Sequence, residues 1–122
     1  MIKIDLTKDI FFAGSETVMI EKDSYNNIVF QLILTTGDLD GVIGWIPYNE
    51  TSNNQSFVYK YNTEMGFGGD GFVQIIRLQE FYDQLIAITS QVHPLMTNVL
   101  DSLKQICQST LQHGNRLFVK FE

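Results

Sequence analysis

At 122 residues the chain is sized for one domain, and 44% hydrophobic against 18% charged residues describes a compact globule, not a disordered tail. A net charge of −6 argues against direct binding to nucleic acid, whose phosphates call for the opposite sign. The single cysteine, Cys107, excludes an internal disulfide, and no run approaches the ~18 apolar residues of a membrane helix.

Ile2, Ile4 and Leu6 alternate with Lys3 and Asp5, which predicts a half-buried first strand over 2–6. The same alternation leaves no continuous apolar run for a signal peptide, so the expected location is cytoplasmic. The sequons at Asn49 and Asn54 then carry no weight. Ile10-Phe11-Phe12 continues the strand after a turn, and Thr17-Val18-Met19-Ile20 marks a second strand within 16–22. A polar turn over 23–27 leads into Ile28–Leu34. Both faces of that run are largely apolar, which predicts an interior strand covered on both sides.

Gly37-Asp38-Leu39-Asp40-Gly41 reads as the loop of a hairpin whose second arm is Val42–Ile46, closed by Pro47. Residues 49–56 contain no apolar side chain and read as an exposed loop. Phe57, Tyr59 and Tyr61 alternate with Val58 and Lys60, which predicts another strand; its aromatic face is either core or an exposed recognition stripe. Gly66-Phe67-Gly68-Gly69-Asp70-Gly71 fits the spacing of a dinucleotide-binding loop. It leads into an expected strand at 72–76, not a helix, and Glu64 and Asp70 would repel phosphate, so a glycine turn is the better reading.

From Leu78 the period changes. Leu78, Phe81, Tyr82, Leu85 and Ile86 recur at helical steps, predicting an amphipathic helix over 79–89. Pro94 suits the first turn of a second helix, with Leu95, Val99, Leu103, Ile106 and Cys107 on one face and Gly114 as its stop. Residues 117–121 form the last strand, antiparallel to 72–76 if every joint reverses direction. The fold class expected is α+β: a mostly antiparallel sheet of about six or seven strands, two C-terminal helices packed on one face, and a final C-terminal strand. A curled sheet or partial barrel with the helices across one opening is the alternative.

Recognisable chemistry is sparse. His93 and His113 stand at the two ends of one expected helix, about 30 Å apart at a rise of 1.5 Å per residue, too far to share a metal or a proton. One cysteine and no paired-histidine spacing give no zinc site, so no metal and no cofactor is expected. Cys107 falls on an apolar helix face, where a thiol acts as a small hydrophobe. Asp38-Leu39-Asp40-Gly41 matches part of a calcium loop, but Thr36 and Pro47 stand where that loop needs carboxylates. Glu80 and Asp83 suit the positive end of a helix dipole. No nucleophile elbow is present, and the chain is expected not to be an enzyme.

The excess negative charge is concentrated in the middle of the chain, where Asp38, Asp40, Glu50, Glu64, Asp70, Glu80 and Asp83 face only Lys60 and Arg77. An acidic surface steers a basic partner. The leading expectation is therefore a protein-binding module, with Asp38, Asp40, Glu50, Tyr59, Tyr61, Glu64 and Asp70 as the candidate partner-binding residues. In size, charge and mixed α/β character the whole chain resembles the small acidic cytoplasmic immunity proteins of bacterial toxin–immunity pairs, including contact-dependent growth inhibition systems. The resemblance rests on no motif and carries over no residue. It implies inhibition of a cognate toxin domain, a nuclease in the first instance, by covering a basic active-site or substrate-binding surface. A small-ligand-binding domain with an apolar pocket between sheet and helices, or a structural or assembly subunit, remain as alternatives.

Overall fold

A computed structural model describes residues 1–7, 14–47, 55–63 and 71–122. Five strands, β1 (Ile2–Asp5), β2 (Glu16–Lys22), β3 (Ile28–Thr35), β4 (Val73–Gln74) and β5 (Arg116–Phe121), form one sheet in the order β1-β3-β2-β5-β4. The sheet is mixed: β1 runs parallel to β3, while every other pair is antiparallel. Among the described residues four helices accompany it: α1 (Thr36–Ile43), α2 (Phe57–Thr63), α3 (Leu78–Ala87) and α4 (Thr97–His113), the last preceded by a 3₁₀ turn at Pro94–Met96. The architecture is α+β, not a closed barrel, and among the described residues β1 and β4 are the edge strands.

Alternation along the strands decides where the helices pack. Met19, Phe30, Leu32, Leu34, Leu117 and Val119 are buried on one sheet face and join a single apolar cluster. Leu39, Val42 and Ile43 of α1, Phe57 and Val58 of α2, Phe81 and Leu85 of α3, and Leu103, Ile106 and Cys107 of α4 complete it. The β2–β3 turn is fixed by Asp23, whose Oδ1 accepts from the backbone N–H of Tyr25 and of Asn27 at 2.9 Å each. Asn26 takes the left-handed conformation there (φ 69°), which asparagine tolerates better than most residues. Gly114 (φ 62°) ends α4, and the Asn115 N–H closes back on the Thr110 carbonyl at 3.0 Å.

Several expectations are met. The interior strand β3 lies between β1 and β2, β4 pairs antiparallel with β5, and α3, α4 and the Gly114 stop fall where the periodicity puts them.

Others are corrected. The described sheet has five strands, and the parallel β1–β3 pair makes it mixed. The second arm of the expected hairpin is not a strand. Thr35 caps α1 by accepting from the Asp38 N–H at 3.0 Å, and Leu39, Val42 and Ile43 are buried at helical spacing. Asp38-Leu39-Asp40-Gly41 is therefore helical and not a loop. Phe57–Tyr61 is likewise helical: Ser56 Oγ accepts from the Tyr59 N–H at 3.0 Å, and Phe57 and Tyr61 stack at i and i+4 with ring centroids 6.0 Å apart. The expected strand at 72–76 shrinks to Val73–Gln74. Pro94 opens a 3₁₀ turn, and α4 starts only at Thr97. Among the described residues the helices pack on the Phe30–Leu32–Leu34 face of β3; Val29, Gln31 and Ile33 on the alternate positions are half-buried. The expected strand at 10–12, most of the polar loop over 49–56 and most of the glycine turn over 66–71 lie outside the described residues.

Candidate functional site

Register brings carboxylates together at one end of the sheet. Asp5 ends β1 opposite Ile33, Glu16 begins β2 opposite Thr35, and α1 starts directly after β3, carrying Asp38 and Asp40. At the far end of β5, Phe121 pairs with Thr17, and the Glu122 N–H donates to the Glu16 carbonyl at 2.9 Å. Asp5, Glu16, Asp38, Asp40 and Glu122 thus share one pole of the molecule. Lys120 belongs to the same neighbourhood and pairs with Glu122 at 3.1 Å. The opposite pole mixes signs, with Lys22 and Arg116 beside Glu21 and Asp23. Lys22 pairs with Arg116 across β2 and β5, and their charged groups flank the Phe118 ring at 5.3 and 5.5 Å. Arg116 also donates to Asn26 Oδ1 at 2.9 Å.

The candidate partner-binding residues divide. Asp40 is exposed and Asp38 half-buried, both on α1. Tyr61 stands with them: its hydroxyl donates to Asp40 Oδ1, and its ring lies 5.7 Å from that of Phe121. Burial, and then the neighbouring Asp40 carboxylate, push the Tyr61 phenol well above its ordinary range. Tyr59 is half-buried on α2, two residues before Tyr61. Glu50, Glu64 and Asp70 lie outside the described residues. Glu80 sits on α3 in an ion pair with Arg77 at 2.9 Å, and Asp83 accepts from Gln79 at 2.9 Å.

A second feature is absent from the sequence-based expectations. Glu21, at the end of β2, is the one fully buried charged side chain among the described residues, 0% exposed. Ser109 Oγ donates to its Oε1 at 2.6 Å and Asn115 Nδ2 to its Oε2 at 2.7 Å. His113 Nδ1 stands 3.7 Å from Oε2 and bonds the Ser109 carbonyl at 2.8 Å. Together with Ile2 and Val29 these residues line a cleft of about 250 Å³. The grouping has the ingredients of a serine hydrolase but not the geometry. The Ser109 hydroxyl donates to the carboxylate, and the imidazole nitrogen nearest it is held by a main-chain carbonyl, so no base is aligned to take the serine proton. The signal available in the sequence is parity. Glu21 shares the inward face with Met19, where a carboxylate requires polar partners.

Among the described residues no three of His, Cys, Asp and Glu are grouped to hold a metal ion, and no helix is long and apolar enough to cross a membrane. Comparison with protein-family models, with curated proteins and with solved structures finds no match to this chain.

Proposed function

We propose that this protein is a non-catalytic binding module that docks a basic protein, in the manner of an immunity protein covering the basic active-site or substrate-binding surface of a cognate toxin. The observation that carries the reading is the gathering of Asp5, Glu16, Asp38, Asp40 and Glu122 at one pole, with Lys120 paired to Glu122 there, while the opposite pole mixes Lys22 and Arg116 with Glu21 and Asp23. Such a concentration of like charge orients an approaching cationic surface before contact and raises the association rate more than it lowers the dissociation rate. Asp40 and Tyr61 add a rigid amphipathic element: an aromatic ring braced by Phe121, with its hydroxyl fixed on a carboxylate. Tyrosines of this kind recur at protein interfaces because they add contact area with little loss of side-chain freedom.

The test is charge reversal. With the partner isolated from the native source, association kinetics are compared for the wild type and the Asp38→Lys/Asp40→Lys double variant at low and high salt. The reading expects the variant's association rate to fall about ten-fold or more at low salt, with the difference shrinking as the Debye length contracts. Far-UV circular dichroism should stay unchanged. An unaltered association rate with unaltered salt dependence would show that this pole is not the docking surface.

A further inference from the structure

Glu21 lies about 16 Å from Glu16 at roughly 3.3 Å per strand residue, at the opposite pole from the proposed docking surface, so a role for its cleft is independent of that reading. Both donors that hold its carboxylate, Ser109 and Asn115, are neutral. A carboxylate offers about four acceptor positions, and the described residues fill two of them. No Lys or Arg among the described residues pairs with it; His113 Nδ1 stands 3.7 Å from Oε2, and that side chain is 64% exposed. A carboxylate buried among neutral donors offers a favourable place for a cationic partner.

The surroundings are shaped for something more than a counter-ion. The β2–β3 register skips a residue here, since Glu21 faces Phe30 while Lys22 faces Ile28, and the residue passed over is Val29. A bulge of this type re-aims a side chain, and Val29 lines the cleft together with Ile2. The Gly114 turn brings Asn115 back against the carboxylate. One wall is thus apolar, and the other is a polar cluster around a carboxyl group.

We propose that this cleft binds a small organic cation, an ammonium or guanidinium head on a short apolar stem. The head occupies the place beside Glu21 that the His113 ring now borders, and the stem lies along Ile2 and Val29. Pockets for drug-sized ligands start near ~300 Å³, so a space of about 250 Å³ suits a stem of a few carbons. His113, on the last turn of α4, yields by rotating toward solvent.

The full chain, labelled with ¹⁵N, is titrated with butylguanidinium at fixed ionic strength, with 1-butanol as the uncharged control. Saturable shifts are expected at the Asn115 side-chain amide and around residues 21, 29 and 109–115, with no comparable response to butanol. Glu21→Gln should weaken binding at least about ten-fold, because it removes the charge and keeps the shape. Should that variant fail to fold, His113→Ala serves instead and is expected to hold or tighten binding. N-acetylarginine amide identifies the source of the head group: binding equal to butylguanidinium assigns a protein side chain, and exclusion assigns a free small molecule. An equal response to butanol, shifts confined to Asp38, Asp40 and Glu122, unchanged binding in a folded Glu21→Gln, or lost binding in His113→Ala would overturn the proposal.

Discussion

Replacing Ser109 with alanine removes one of the two donors that hold the buried Glu21 carboxylate. The bond is short, 2.6 Å from Oγ to Oε1, as expected for a hydroxyl bonded to an ionised acceptor. Hydrogen bonds to charged groups contribute about 1.5–3 kcal/mol to stability when the partner is left buried and unsatisfied. Alanine's better helix propensity returns roughly 0.5 kcal/mol. The net loss should be about 1.5 kcal/mol. For 122 residues, an unfolding entropy near 2.1 cal/mol/K per residue converts this to a fall in Tm of about 6 °C. Urea denaturation with calorimetry on the wild type and Ser109→Ala measures both quantities. The same substitution in a Glu21→Gln background should cost less than about half as much, since the acceptor is then neutral. A Ser109→Ala loss below about 0.5 kcal/mol, or an equal loss in both backgrounds, would refute the claim that the serine holds a charged carboxylate.

Three further outcomes are expected. Cys107 is 0% exposed and burial pushes its thiol well above the ordinary range, so a thiol reagent should label the native protein only as fast as it unfolds; rapid native labelling would contradict this. The Tyr61 phenol is raised by burial and by Asp40, so the folded state holds its proton more tightly than the unfolded chain. Stability from this group is therefore complete below the ordinary tyrosine pKa of about 10 and is lost as pH rises beyond it. Absorbance titration should show a tyrosine resisting ionisation that Tyr61→Phe removes. Gly114→Ala places a β-carbon at φ 62° in otherwise open space, so it should cost about 1 kcal/mol of backbone strain by chemical denaturation, with no steric clash added.

Long periodic segments are the most readable part of the chain. α4 repeats its apolar face from Val99 to Thr110 and stops at a glycine that adopts the left-handed conformation, so helix and boundary both follow from sequence. α1 and α2 resemble strands in sequence because they run only eight and seven residues. Over that length Leu39 and Ile43, or Phe57 and Tyr61, fit a period of two as well as one of 3.6. The capping residues are the discriminator: Thr35 and Ser56 each stand three residues before the N–H they cap.

The acidic cluster is half legible. Asp38 and Asp40 are visible as neighbours, but Asp5, Glu16 and Glu122 join them only through strand register. The Glu21 cleft is hidden for the same reason, because its donors lie at positions 109 and 115, far along the chain from residue 21.

Amide hydrogen exchange on the complex with the isolated partner bears most directly on the proposed docking surface. Added protection is predicted at Glu16, along residues 35–40 and at Phe121–Glu122, diminishing as salt weakens the complex. Protection concentrated instead around Lys22, Asn26 and Arg116 would contradict it.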